Sequence, residues 1–372
     1  MGQPALVLVR FTALGLLLTA CAEPPAARVV AARELQTVPQ SPRIVGRDGA
    51  QSALLWGRSV WTFGDTVSRV PDVDGLTWHN NSFSSTSDLV AADGIEGLTE
   101  PTDAAGAPAY LLAPTADEAS FIALHRGDPC AEAPCGARYA AWPGAPLFDA
   151  RRNRALVPYG LVWAAPGDFN FHGVGQSFAV WTDLGSAPER PTVAPGSAHP
   201  TMLFAEEEPP FGGAAVIHGD ELFAFACLLD WLSFHCLLGK VPLDQIFVRP
   251  AWRFWDGARW SASMADARPV LDATSDLSVQ WNPHLGQWMA VYSGVFSNDV
   301  LVRTAPSLEG PWSGEGTLFT ADRKGRGGTS YDAQPHAEYA EQGGRVLYFT
   351  YTRPNGDGWF GSELALVQVT LE

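Results

Sequence analysis

Lysine is almost absent from this chain of 372 residues: Lys240 and Lys324 are the only two. Lys and Arg together number 24 against 40 Asp and Glu, a formal net charge of −16. Binding to a nucleic-acid backbone, or electrostatic docking to an anionic bilayer, needs clustered positive charge, so both are excluded. Charged residues make up only 17% and apolar ones 46%, too apolar a balance for a disordered chain. No stretch sustains an apolar period of 3.6 residues, which removes coiled coils and helical bundles. Beyond the N-terminus no apolar run suits a membrane span. GxSxG, HExxH, the P-loop and a helix-opening GxGxxG are all missing, so a serine nucleophile or a nucleotide cofactor has no support, and no cofactor is expected. What the chain has in quantity is Trp (14), Gly (37) and Pro (29), the makings of many turns and many aromatic faces.

Cysteine is scarce as well, five in all. The first, Cys21, ends a segment in which Arg10 precedes an apolar run closing on Leu18-Thr19-Ala20. The run is short for an anchor helix and reads as an export signal over 1–20. Its ending resembles the bacterial lipoprotein box, in which the Cys is lipidated and becomes the new N-terminus; cleavage near Ala20 or Ala22 without lipidation is the plainer alternative. Residues 21–41, rich in Ala, Pro and Arg, then read as a disordered tether. The expectation is an exported lipoprotein of the bacterial cell envelope, touching membrane only through its lipid. The other four cysteines, in an oxidising compartment, favour the local pairs Cys130–Cys135 and Cys227–Cys236 among three possible pairings. Their spacings match no common zinc site, and no metal is expected.

Five segments repeat one pattern: apolar strand, tight turn, second apolar strand, polar loop, third strand. The units open at Ser52–Trp56, Arg154–Trp163, Gly213–His218, Leu277–Trp281 and Gln334–Tyr339. Gly-Asp, Asn-Pro and Gly-Gly between them are hairpin signals, because they supply a positive or preset φ. Such units cannot bury both faces alone, and radial stacking solves that. The expected fold is all-β, a five-bladed β-propeller over 42–372, with a β-sandwich as the competing architecture.

Propellers bind ligands where the innermost strands begin. Asp48 lies just before the first inner strand, and Asp65 follows the returning strand in Phe63-Gly64-Asp65-Thr66, so both reach the same end. Two carboxylates at one end of a pocket suit acid-catalysed glycoside hydrolysis, one protonating the leaving oxygen while the other activates water or attacks. The plainer reading of Asp65 is a turn cap. The polar run after Trp78 offers His79, Asn81 and Asp88 as sugar contacts, or else an exposed loop beside an edge strand. Gln176, Trp281, Gln334, His336 and Glu338 are further candidate contacts, although lone histidines are usually structural. Glu208 would be a third channel carboxylate unless its run of three glutamates is a solvated loop.

The run Gly46-Arg47-Asp48-Gly49 … Leu54-Leu55-Trp56-Gly57-Arg58-Ser59-Val60-Trp61-Thr62-Phe63-Gly64-Asp65-Thr66, the Asn81-Ser82 opening, Trp281-Asn282-Pro283 … Gly286-Gln287-Trp288 and the closing Gln334-Pro335-His336 … Tyr348-Phe349-Thr350-Tyr351-Thr352-Arg353-Pro354 resemble a family of secreted bacterial five-bladed propellers. That family, long a domain of unknown function, includes glycoside hydrolases cleaving D-arabinan, the furanose polymer of mycobacterial cell walls. The resemblance covers about residues 42–372 and implies a furanosidase, endo-acting, with acidic residues on the first blade, where Asp48 and Asp65 stand. Neighbouring strands carry the two, so their carboxyls are expected roughly 6.5–9.5 Å apart, the inverting geometry. A non-catalytic carbohydrate-binding propeller using Trp78 and Trp281 as platforms stays open, as does a protein scaffold. A polysaccharide partner and a monomeric state complete the expectations.

Overall fold

The computed structural model describes residues 27–167, 169–230, 233–358 and 360–372; the export signal and Cys21 lie outside the described residues. Among the described residues five larger antiparallel sheets follow one another along the chain. The first joins Gln51–Leu55, Arg58–Phe63 and Ser82–Thr86, and the third runs from Ala214–His218 through Glu221–Asp230 and Ser233–Pro242 to Arg253–Trp255 and Trp260–Ser261. The fourth contains Ser278–Asn282, Gln287–Ser293, Asp299–Ala305 and Gly316–Thr320. In the second, Arg138–Pro143 and Leu147–Asp149 share one edge of Arg154–Ala164, which pairs on its other side with Phe171–Trp181 and then Phe204–Ala205. The strand expected to lead this sheet is therefore its second. The true leading edge is broken at 144–146, where Gly144 and Pro146 interrupt the alternation.

The fifth sheet corrects the expected tether. Tyr331–Pro335, Val346–Pro354 and Ser362–Leu371 are completed by Val29–Thr37, which pairs antiparallel with the last strand, Val29 opposite Leu371 and Thr37 opposite Ala365. Arg353, 2% exposed, fixes the joint by pairing with Glu34 from the N-terminal strand and Glu363 from the C-terminal one.

Alternate residues of the middle strands pack to opposite sides, so each strand is buried on both faces and reads as an almost continuous apolar run. Leu347, Phe349 and Tyr351 face Met289 and Val291 of the fourth sheet, whereas Val346 and Tyr348 face Trp61 and Phe63 of the first. Among the described residues five such clusters occur, one between each pair of neighbouring sheets, the fifth with the first included. A small sheet of Ile44–Arg47, Thr66–Ser68 and Trp78–His79 sits beside the first. The one α-helix among the described residues, Ala116–His125, opens on a capping box of Thr115 and Glu118. Both expected disulfides, Cys130–Cys135 and Cys227–Cys236, are present.

Candidate active site

Two loops of the first sheet are laced together by their backbones. Asp48 N donates to the Asp65 carbonyl at 3.3 Å, and Gly64 N donates to the Asp48 carbonyl at 3.0 Å. Gly64 is needed here for space: a Cβ on it would come within 2.6 Å of Asp48 Oδ1. Gly49 and Ala50, with φ of 86° and 52°, then turn the chain into the leading strand. Arg47 secures the loop from beneath; it is buried, paired with Glu100, and its guanidinium lies 3.6 Å from the Phe63 ring centroid.

Asp332 and Asp276, which the sequence reading passed over, join this end. Both stand where Asp48 stands, at the start of a leading strand, in the fifth and fourth sheets. Asp332 has φ of 51°, and the register slips between Tyr331 and Gln334, a bulge that turns its carboxylate toward the first sheet. There Gly49 N donates to Asp332 Oδ2 at 3.2 Å, while the Tyr331 hydroxyl donates to Asp48 Oδ2 at 3.2 Å. Asp276 accepts from Ser293 N at 3.0 Å and from the Thr274 hydroxyl.

Electrostatics separates the four. Desolvation, then the charges of Asp332 and Asp65, lifts the Asp48 carboxyl well above the ordinary range. Asp332 is pushed up to about 7 by desolvation and by Asp276. Asp276 is raised by burial. Asp65 is also raised by burial, but the Trp78 and Trp142 indole N–H groups and Arg138 work against it; Trp142 Nε1 donates to Asp65 Oδ1 at 3.3 Å. Asp48 thus stands among like charges, which favours its acid form, and Asp65 among donors, which favours its carboxylate.

Below the mouth an axial cavity of about 710 Å³ is lined by the leading strands of all five sheets. Asp276, Gln51 and Gln334 border it near the carboxylates; Gln334 Oε1 accepts from the Ser278 hydroxyl at 2.5 Å. Glu338 also lines it, its Oε1 accepting from Ser52 (2.5 Å) and Ser59 (2.6 Å) while Oε2 is buried without a partner. His336, expected to share a face with Glu338, does meet it through Ser52, whose hydroxyl lies 2.6 Å from His336 Nδ1. The histidine is nonetheless structural. It is 1% exposed, its Nε2 lies 2.8 Å from the Thr350 hydroxyl, it stacks on Trp61, and burial lowers its pKa to about 3.

Other candidates are used by the protein itself. Asn81 is fully buried, bonding Asn80, the carbonyls of Leu112 and Ala141, and Leu112 N. His79 is 3.2 Å from Asp72 and stacks on Tyr110. Asp88 caps its own loop through Val90 N and Glu96 N. Dense polarity in Trp78–Asp88 therefore marks an interior network at Asn81 and a turn at Asp88, while Trp78 Nε1 and both ring nitrogens of His79 are buried without a hydrogen-bond partner. Glu208 pairs with Arg249 and caps Ala205 N. Gln176 is buried, its amide packed against Gly160 and Gly212. Trp281, half-exposed and edge-on to Trp288, sits at the far end of the channel from the carboxylates. Trp78 does stand at the mouth, under Arg138 and against Phe360. No cluster of three metal-ligating side chains occurs among the described residues.

The family model described as a domain of unknown function, DUF4185, matches residues 196–359. No curated protein matches the sequence. Similar solved structures include a protein from Bacteroides ovatus described provisionally as a hydrolase, with a TM-score of 0.60 at 15% identity over 90% of this chain and 87% of that one. Another is the exo-β-1,3-galactanase of Phanerochaete chrysosporium with β-1,3-galactotriose, with a TM-score of 0.50 at 11% identity over 91% of this chain and 64% of that one. At these identities the likeness is one of fold.

Proposed function

We propose that this protein is a glycoside hydrolase of a furanose polysaccharide, D-arabinan-like, cleaving within the chain on a five-bladed propeller. The observation that carries the reading is the pairing of Asp48, raised by burial among like charges, with Asp65, bonded by the Trp142 indole N–H, at one mouth of the axial channel. Environments that push two carboxyls apart assign acid and base. Asp48 protonates the departing glycosidic oxygen, and the C–O bond breaks with oxocarbenium character. Asp65 takes a proton from the water that attacks the opposite face. Burial, then the neighbouring Asp332, favours the protonated form of Asp48, and the Tyr331 hydroxyl orients it. A water between the two carboxyls gives inversion without a covalent glycosyl-enzyme. The substrate class rests on the sequence resemblance. Five clusters between successive sheets support the five-bladed closure. We further propose a monomer anchored to the cell envelope through lipidated Cys21.

Incubating the chain from residue 22 onward with arabinan and arabinogalactan, and assaying new reducing ends, tests the activity. Asp48→Asn and Asp65→Asn should each fold normally and lose roughly three or more orders of magnitude in rate. Undiminished hydrolysis in either variant refutes the assignment. Proton NMR of the first-formed anomer tests inversion.

A further inference from the structure

Around the acidic mouth the chain exposes rings that a folded interior would ordinarily bury. Phe296 is fully exposed and Phe169 88% exposed, and both hold a left-handed backbone (φ 54° and 55°) that side chains other than glycine rarely adopt. Phe171, Phe360 and Tyr331 are exposed as well. All but Tyr331 lie at or beside the hairpin joining the second and third strands of a sheet, and each hairpin is linked to a carboxylate by short contacts. Phe171 packs on Trp142, which donates to Asp65. Phe360 packs on Trp78, which faces the same carboxylate. Phe296 follows Ser293, whose N–H is held by Asp276. Tyr331 bonds Asp48 directly.

We propose that these tips form a collar that grips a neutral polysaccharide on both sides of the mouth, an inference that rests on the hydrolase reading above. Ring faces suit the C–H faces of sugars, and they gain most where water is already being displaced. An anionic polymer or an acidic bilayer would meet four clustered carboxylates and a net charge of −16. A membrane at the N-terminus is also on the wrong side. Val29 lies opposite Leu371, at the other end of the fifth sheet from Asp332, whose neighbour Tyr331 lies opposite Thr352.

The test is affinity electrophoresis through gels containing arabinogalactan, with Asp65→Asn in every sample so that the polymer stays intact. Adding Phe169→Ala and Phe296→Ala should weaken retardation roughly three- to tenfold per ring, and Phe296→Tyr, which keeps the ring, should restore its share. If the wild-type chain hydrolyses the polymer but the double variant is retarded like its parent, the collar is wrong and the hydrolase reading stands. If the wild-type chain does not cleave the polymer and the Asp65→Asn chain is not retarded by it, both fall. Binding to phosphatidylglycerol vesicles that the double variant loses would make the tips a lipid dock and overturn the proposal.

Discussion

Gly49 N, one residue beyond Asp48, donates to Asp332 Oδ2 at 3.2 Å, so the loop that carries one carboxylate also holds its neighbour in place. The first and fifth sheets, far apart in sequence, thereby share one acidic unit. Like charges this close cannot both ionise readily, and the environment decides which keeps its proton.

Asp332→Asn removes one of those charges. The Asp48 carboxyl should fall toward its ordinary range, and the alkaline limb of the pH–activity profile should move to lower pH. The same variant should be more stable. A carboxyl with a folded pKa near 7 ionises at greater cost than in the unfolded chain, so the penalty grows as pH rises from about 4 to 7 and is complete above 7. Thermal melts at pH 8 should show the gain, a few kcal/mol at most, and melts at pH 4 should show little.

Gly64→Ala places a methyl group 2.6 Å from the present position of Asp48 Oδ1. The carboxylate must rotate, while the backbone, which needs no positive φ at this position, stays. Activity should drop about a hundredfold or more, because displacement by an ångström misplaces the proton. The melting temperature should change little; a large loss of stability would contradict this account.

His336 is buried neutral, with a pKa lowered to about 3. Its unfolded counterpart takes up a proton below about 6.5, so this residue contributes full stability above that pH and loses it progressively on acidification toward 3. In His336→Gln that part of the acid slope should vanish. Denaturant midpoints at pH 4, 5 and 7 measure it, with the wild type falling more steeply.

Truncation to Gln40 removes the strand expected to be a tether. Arg353 would keep Glu363 but lose Glu34, leaving a buried guanidinium half-paired, and the Ser362–Leu371 strand would become an open edge. The cost should be about 3–5 kcal/mol, with self-association through the bared edge. Gel filtration and urea titration of the truncated chain check both.

The units opening at Ser52, Gly213 and Leu277 are legible in the sequence because a tight turn follows each leading strand at once, of two residues in the first two and of four, Pro283 to Gly286, in the third. Arg154–Ala164 misleads because its true predecessor is split at 144–146 into two short pieces, neither long enough to show alternation. Val29–Thr37 is an edge strand without a buried stripe, and its partner lies at the other end of the chain, so nothing local marks it. At the site, reading the starts of the leading strands locates Asp48, and the same rule applied to the fourth and fifth units reaches Asp276 and Asp332. In the fifth unit His336 and Glu338, four and six positions beyond Asp332, carry the same polar signal and are the residues that mask it. His79 and Asn81 fail for the opposite reason: polarity that looks like a ligand surface is buried, as a hydrogen-bonded amide at Asn81 and as a ring set between Asp72 and Tyr110 at His79, and sequence does not separate the two.

The pairing of Val29–Thr37 with Ser362–Leu371 also sets an order of events. Arg33 and Gln368, hydrogen-bonded at 3.1 Å, are separated by 335 positions, so Val29–Thr37 emerges from a ribosome long before the strand it pairs with. Contacts of such sequence separation form slowly, since most of the chain must be ordered before they close. Until Ser362–Leu371 is made, the fifth sheet lacks its joint, Arg353 lacks Glu363, and Glu34, though already made, has no strand to hold it beside Arg353. A nascent chain of this protein cannot lock its fifth sheet before both the early strand and the late one have emerged.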